Sequence, residues 1–199
     1  MNRLIPAIVM LNALLSPPLQ AESTQYETAI LAGGCFWCVE SDYDKLDGVV
    51  DAISGYTDGH LDMPSYEEVS MGDTGHIEAV EVTYDPKRVS YDEILDYYWR
   101  HIDPTRDDGQ FCDRGPQYRP VIFYRGSKQK AAAYQSLSKI RQNKPFAAEI
   151  KVELKPVATF YPAEEYHQDY YLKNPVRYKY YRYACRRDQR VKSLWGSYQ

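Results

Sequence analysis

The sequence has few of the groups that build metal or phosphate sites. Its four histidines, His60, His76, His101 and His167, include no pair at helical spacing, and Cys35-x-x-Cys38 has no second Cys-x-x-Cys to match it, so no metal is expected. Gly33-Gly34 lacks the glycine pattern of a dinucleotide-binding turn, and no glycine-rich phosphate loop occurs. There is no internal repeat or linker, and no second long apolar run follows the one at the N-terminus. What remains is a chain of ordinary globular composition, 44% hydrophobic and 26% charged with a net charge of -4, enough for one domain with a real core.

Residues 1–21 stand apart. Asn2 and Arg3 make a weakly basic start, Leu4 to Leu15 is apolar, and Pro17 to Ala21 closes on a small residue, which is the pattern of a cleaved signal peptide. The expected organisation is a signal peptide over 1–21 and a single domain over 22–199. The mature protein is then periplasmic or secreted, without stable membrane association. An oxidising compartment permits the four cysteines to form two structural disulfides, although a domain of this size does not need them. The segment Lys173 to Lys192 holds eight basic residues and one acid, Asp188, with Tyr178, Tyr180, Tyr181 and Tyr183 interleaved. Such a stripe can bind single-stranded nucleic acid or cover an acidic body. The acidic net charge and the leader favour the second, so no nucleic-acid partner is expected.

The run Gly33-Gly34-Cys35-Phe36-Trp37-Cys38 carries the most chemistry. Ala29 to Ala32 reads as the end of a buried strand, the glycines permit a tight turn, and Phe36, Val39, Tyr43 and Leu46 recur at helical spacing. Cys35 is thereby placed at a helix N-terminus, where free N–H groups are expected to lower the pKa of its thiol. Downstream, Val49 to Ser54 reads as a strand and Gly55 to Gly75 mostly as loop. In His76 to Tyr84 the period of two puts Glu78 on one face with Val80, Val82 and Tyr84, where burial would raise its pKa. Ser90 and Glu93 have the spacing of a capping box ahead of the stripe Ile94, Leu95, Tyr98, Trp99. A second polar loop, Thr105 to Arg119, precedes a strand at Val121 to Tyr124, a helix at Ser127 to Gln142 and a strand at Glu149 to Leu154. A short last helix at Ala163 to Tyr171 would put Tyr166 and Tyr170 on one face. Strands and helices mix without strict alternation, which predicts an α+β domain: a mixed or antiparallel sheet with packed helices and long functional loops.

Two oxidoreductase chemistries are open to Cys35: disulfide exchange through Cys35 and Cys38, or attack on a small electrophile held by Phe36 and Trp37 and assisted by an acid. A stapled peptide-binding protein is a third reading. Gly34-Cys35-Phe36-Trp37, Tyr66-Glu67-Glu68-Val69, Gly75-His76-Ile77-Glu78, Asp113 to Arg119 and Tyr161 to Gln168 together resemble the peptide methionine sulfoxide reductase A family, over about Glu27 to Trp195. The resemblance implies a ferredoxin-like core with a split β-α-β arrangement, a monomer, and reduction of methionine-S-sulfoxide, free or in proteins, without a cofactor. It implies Cys35 as nucleophile, Glu78 as acid, Tyr66 and Tyr118 as hydrogen-bond donors to the sulfoxide oxygen, Asp113 as an orienting carboxylate, and Phe36 and Trp37 as the methyl pocket. A second thiol then condenses with the Cys35 sulfenic acid, and thioredoxin or a thioredoxin-like dithiol reduces the disulfide. Many family members have glycine at the position of Cys38 and a glycine-rich tail around the resolving cysteine, where this chain has Ala184-Cys185-Arg186. The order of resolving candidates is Cys185, then Cys38 and Cys112, with two steps in series as a further option.

Overall fold

Runs rich in β-branched and small apolar residues build a six-stranded sheet at the centre of the protein, whose computed structural model describes residues 25–196. The segment 1–21, where the signal peptide is expected, lies outside the described residues. In chain order come β1 (Glu27–Ala32), α1 (Phe36–Tyr43), β2 (Val49–Thr57), α2 (Tyr66–Met71), β3 (Ile77–Tyr84) and α3 (Tyr91–Trp99). A two-stranded hairpin, β4 (Gly109–Gln110) and β5 (Asp113–Arg114), leads through a 3-10 turn at Pro116–Tyr118 into β6 (Val121–Tyr124). Then follow α4 (Gly126–Asn143), β7 (Glu153–Pro156), β8 (Tyr161–Pro162), α5 (Tyr170–Lys173), α6 (Pro175–Ala184) and α7 (Arg187–Trp195).

The sheet order is β7-β6-β1-β3-β2-β8, antiparallel throughout except for the parallel pair β6 and β7. β3 lies between β1 and β2, and β1 lies between β3 and β6. Each of the two β-α-β units is therefore split by a strand of the other. This is the mixed α+β domain that the irregular alternation of elements predicts. Among the described residues no helix is long and apolar enough to cross a membrane.

β3 is central and buried on both faces, so its period of two sorts its residues between two cores. Val80, Val82 and Tyr84 face the main core with Phe36, Val39 and Tyr43 of α1, Ile94, Leu95, Tyr98 and Trp99 of α3, and Leu137 and Ile140 of α4. Ile77 and Ala79 face a smaller cluster with Ile30, Ala32, Val121 and Phe123. Glu78 shares the first face, which carries its carboxyl in under the start of α1. Ser90 caps α3 by accepting from the Glu93 N–H while the Glu93 side chain accepts from the Ser90 N–H, as the spacing predicts.

Four sequence expectations change. β2 runs on to Thr57, and Gly55 to Gly75 is not all loop, because α2 is capped by the same reciprocal pair, here Ser65 and Glu68. The polar loop before β6 contains the β4–β5 hairpin and the 3-10 turn. The strand expected from Glu149 begins only at Glu153; the Lys151 N–H leaves the ladder to donate to the Pro104 carbonyl at 2.7 Å, although Ile150 and Val152 still enter the core. No helix spans Ala163 to Tyr171. Asp169 takes a left-handed conformation with φ of 53°, turns replace the helix, and Tyr166 is exposed while Tyr170 is buried.

Candidate active site

Cys35 occupies the cap position of α1, held there by backbone chemistry rather than by its own side chain. The preceding Gly34 has φ of +86°, and a Cβ at that residue would lie 2.5 Å from the Cβ of Gln110. Gln110 is itself pinned: its Oε1 accepts from the Asp103 N–H at 2.8 Å and its Nε2 donates to the Asp103 carbonyl at 2.8 Å. The β4–β5 hairpin is thus locked against the Cys35 turn, and Cys112 and Asp113 ride on it. Arg187 ties the same parts from α7. It donates to the Gly33 carbonyl at 3.1 Å and the His101 carbonyl at 2.8 Å, and its guanidinium lies 4.5 Å from the centre of the Phe111 ring.

Cys35, Phe36, Trp37, Tyr66, Glu78, Asp113, Tyr118 and Tyr181 line one cavity of about 70 Å³. That is roughly the volume of two liquid waters, room for the end of a side chain and not for a large ligand. A larger depression of about 650 Å³ runs between α3 and α7 and is lined mainly by charged side chains, with no thiol among them. The small cavity gathers every catalytic and pocket residue that the sequence points to, from five separate segments.

Glu78 is 2% exposed, and its Oε2 accepts from the Phe36 N–H at 3.0 Å. Burial pushes its pKa up to about 8, against the lowering effect of that hydrogen bond. At neutral pH this carboxyl holds its proton, as the apolar face of β3 predicts. Burial also raises the Tyr66 hydroxyl to about 12, with the Glu78 carboxyl second, and raises Tyr118 further for the same two reasons. Both tyrosines keep their O–H and remain donors.

The expectation of a lowered Cys35 pKa is corrected. Burial pushes the thiol well up, and its hydrogen bond to Cys38, the Cys38 charge and the carboxyls of Glu78 and Asp113 push the same way. Of the two thiols, Cys38 ionises more readily, because Cys35 donates to it and Arg187 and Arg182 stand near it. A helix start favours an anion only while the site around it is not already desolvated and acidic. The resting cavity therefore holds Cys35 and Glu78 both protonated.

The indole of Trp37 is fixed from three sides. Its Nε1 donates to Nδ1 of His167 at 2.9 Å, its rings stack on Tyr170 at 3.7 Å and 5°, and Tyr181 meets it edge-on at 6.0 Å. Since His167 accepts at Nδ1, its proton sits on Nε2, and burial lowers its pKa, so the ring is neutral. Tyr181 also donates to Oδ2 of Asp113 at 2.6 Å, closing the cavity from α6. Phe36 packs against Tyr66 at 6.4 Å and Tyr56 at 5.8 Å. Glu164 holds two of these walls, accepting from the Tyr66 N–H at 2.8 Å and from the Tyr56 hydroxyl at 2.9 Å.

Tyr181, which lines the cavity, and Tyr170, which stacks on Trp37, carry no site role in the sequence, where Tyr170 stands out only beside Tyr166 on an expected helix face, and His167 and Glu164 stand in a family-like motif without a role attached. The thiols divide into two sets. Cys35 and Cys38 are free and buried, whereas Cys112 and Cys185 form a disulfide, Cα–Cα 4.9 Å, between the hairpin and the end of α6. Cys112 is exposed and adjoins Asp113, so this disulfide sits at the edge of the cavity. Cys112, Asp113 and Cys185 also group closely enough for a metal, but the two sulfurs are bonded to each other. Glu40, Asp44 and Asp169 form an acidic trio in which Glu40 is already engaged by Ser54 and the Asp169 N–H.

Tyr66 and Tyr118 each bring a protonated hydroxyl to the lining of this cavity, and two donors to one acceptor would back each other up. Tyr66→Phe or Tyr118→Phe alone is expected to lower kcat by about tenfold or less, and the double variant by about 10²–10³, the usual loss for a missing donor at a developing oxyanion. Steady-state kinetics on the three variants checks this; a single variant as slow as the pair would show that only one hydroxyl matters.

A sequence profile of the family described as peptide methionine sulfoxide reductase matches residues 27–199. The chain is similar to the peptide methionine sulfoxide reductase MsrA/MsrB of Vibrio cholerae, 54% identical over 90% of this chain, and spans 47%, about half, of that relative's length. It is 46% identical to a peptide methionine sulfoxide reductase MsrA 2 of Staphylococcus aureus, over 86% of this chain and 97% of the relative. Among solved structures it resembles Mxr1 from Saccharomyces cerevisiae in reduced form, with a TM-score of 0.72 and 32% identity, covering 82% of this chain and 93% of that one. With the profile spanning nearly all of the described residues and relatives of this family 46–54% identical over most of the chain, the chain belongs to the peptide methionine sulfoxide reductase family.

Proposed function

We propose that this protein reduces methionine-S-sulfoxide, free or in proteins, to methionine. One observation carries the reading: a thiol, a protonated carboxyl and two phenol hydroxyls converge on a cavity of about 70 Å³ walled by Phe36 and Trp37. The S-methyl group lies against the two aromatic rings. The sulfoxide oxygen accepts from Tyr66 and Tyr118 and faces Glu78. Cys35 sulfur attacks the sulfoxide sulfur as Glu78 protonates the oxygen, and the thiol proton of Cys35 replaces the one Glu78 has given up. The hydroxyl then passes from the methionine sulfur to the Cys35 sulfur: the new S–S bond and the methionine S–O bond break, a Cys35 S–O bond forms, and methionine leaves with Cys35 as a sulfenic acid.

Cys185 then condenses with the sulfenic acid, releasing water, and Cys112 attacks the Cys185 sulfur of the new disulfide. The products are a free Cys35 and the Cys112–Cys185 bond, the arrangement of thiols and disulfide that the structure contains. Cys38 stays beside Cys35 as hydrogen-bond partner and reserve resolver. Thioredoxin or a thioredoxin-like dithiol returns Cys112 and Cys185 to thiols, and exposed Cys112 is the sulfur such a donor can reach. The protein acts as a monomer, and the leader-like segment 1–21 directs it to the periplasm or the exterior; the N-terminus of the mature protein checks the latter.

The test is to incubate fully reduced protein with separated S and R sulfoxides and to measure methionine and thiols. Methionine is expected from the S epimer alone, with two thiols lost for each methionine. Equal use of both epimers, or thiol loss without methionine, would refute the reading. Rapid reduction of insulin disulfides with no methionine formed would instead identify a disulfide-exchange protein.

A further inference from the structure

The cavity holds a nucleophile and an acid, and its described lining offers no free base. Glu78 keeps its proton at neutral pH, burial raises the hydroxyls of Tyr66, Tyr118 and Tyr181, and the carboxyl of Asp113 already accepts from Tyr181. Cys35 needs a partner to take its proton before its sulfur can attack. The group in hydrogen-bond contact with that thiol is Cys38, one turn further along α1, free and 2% exposed. Behind Cys38 stands an incompletely balanced charge. Arg187 of α7 is equally buried; its terminal nitrogens donate to the Gly33 and His101 carbonyls, and its Nε has no hydrogen-bond partner among the described residues. The carboxylate it meets, Asp42 of α1, lies 3.7 Å from that Nε and also pairs with Arg182 of α6 at 2.8 Å. Arg182 has a further acid, Asp188, at the surface. Two guanidiniums thus close on one buried carboxylate, and a thiolate at Cys38, which both of them favour, completes the pairing. The other groups around Cys38 are the phenols of Tyr170, Tyr178 and Tyr181 and, across the cavity, the protonated Glu78.

We propose that Cys38 is the base of this site: a buried thiolate, held against Arg187 and Arg182, that takes the proton of Cys35. This rests on the sulfoxide reductase reading. The Cys35 S–H bond breaks and a Cys38 S–H bond forms, so one thiolate is exchanged for the other. Cys35 sulfur then attacks the sulfoxide sulfur, and Glu78 gives its proton to the oxygen. At the end of the step Cys38 is a thiol and Glu78 a carboxylate, and the return of one proton from the first to the second restores both. Cys38 is neither oxidised nor reduced in this role. The order within the pair follows from its surroundings: Cys35 faces the carboxyls of Glu78 and Asp113, whereas Cys38 faces the two guanidiniums.

The experiment has two readouts. In reduced Cys112→Ser/Cys185→Ser protein, where only the inner thiols remain, thiolate absorbance near about 240 nm should appear between pH 4 and pH 8. It should persist when Cys35→Ser is added and vanish when Cys38→Ala is added instead. A band that follows Cys35, or no band at all, overturns the proposal. In the otherwise unaltered chain, Cys38→Ala and Cys38→Ser should each slow the first burst of methionine from methionine-S-sulfoxide at pH 7 by about 10²-fold, the lower end of what a general base supplies. The ratio of variant to wild-type rates should rise with pH as solution hydroxide takes over. Serine keeps a hydrogen-bond acceptor of nearly the same size, so a Cys38→Ser burst as fast as wild type would reduce Cys38 to packing and also overturn the proposal. Formation of the Cys112–Cys185 disulfide after the burst shows that both variants are folded. If wild-type protein yields no methionine, it is the reductase reading that fails, and the absorbance result still decides which inner sulfur carries the charge.

Discussion

Cys35→Ser should abolish methionine formation, with a loss of at least about 10⁴-fold, the scale seen when a covalent nucleophile is removed from an otherwise intact site. Serine fills nearly the same space, so Glu78, Tyr66 and Tyr118 still converge and the sulfoxide still binds. What disappears is the only sulfur among the described residues that line the cavity. A hydroxyl is far less able to leave its proton and attack sulfur in a buried, acid-lined site, where even the Cys35 thiol is pushed well up. Cys38 cannot substitute: it lies one helical turn further in, buried in a cluster with Tyr170 and Tyr178 behind the indole of Trp37. Residual turnover within about a hundredfold of wild type, measured as methionine released, would remove Cys35 from the nucleophile role.

Glu78→Gln should lower kcat by about 10²–10⁴-fold with KM changed only a few-fold, because glutamine keeps the shape and its amide oxygen can accept from the Phe36 N–H as the carboxyl does. A rise in KM with kcat intact would mean that Glu78 binds substrate and does not protonate it. The pH dependence gives an independent readout. Glu78 has its pKa raised to about 8, so the acid is present below that pH and lost above it. Wild-type activity should fall above about pH 8, while the glutamine variant should lose that falling limb and follow the thiol alone. Stability carries the same signature. Between the ordinary glutamate value and about 8 the folded protein binds a proton that the unfolded chain does not, so stability falls as pH rises through this window. Glutamine has no proton to lose there, and the drop in Tm between pH 6 and pH 9 should be smaller in the variant.

The parts of this site that a sequence can show are those that repeat with a period or sit in a motif. Glu78 was legible because the period of two in β3 sets it on one face with Val80, Val82 and Tyr84, the face that packs into the main core. The α1 start was legible from two glycines before a helical stripe. α2 was not, although Ser65 and Glu68 have the same spacing as Ser90 and Glu93; with only Val69 buried, it offers no apolar stripe to confirm a helix. Tyr181 and Tyr170 were hidden because neighbouring tyrosines look alike in sequence, and the packing of α5 and α6 against Trp37 separates them from exposed Tyr180 and Tyr183. The thiol pKa failed for a different reason. Helix position is a local property, whereas desolvation and the nearby Cys38, Glu78 and Asp113 are assembled from three segments.

The Cys112–Cys185 pairing has a similar origin. Sequence separates the two cysteines by 73 residues, and the Gln110 and Arg187 contacts are what bring the hairpin to the end of α6. The resolving candidates, which the sequence orders as Cys185, then Cys38 and Cys112, thus divide between a buried inner pair, Cys35 and Cys38, and an outer pair, Cys112 and Cys185.

The most direct measurement is to trap the intermediate. Cys112→Ser/Cys185→Ser protein, reduced and mixed with methionine-S-sulfoxide in the presence of dimedone, should release methionine and carry the dimedone adduct of a sulfenic acid on the peptide containing Cys35. Methionine released with Cys35 unmodified, and neither labelled nor joined to Cys38, would contradict oxygen transfer to this sulfur and with it the account of the site.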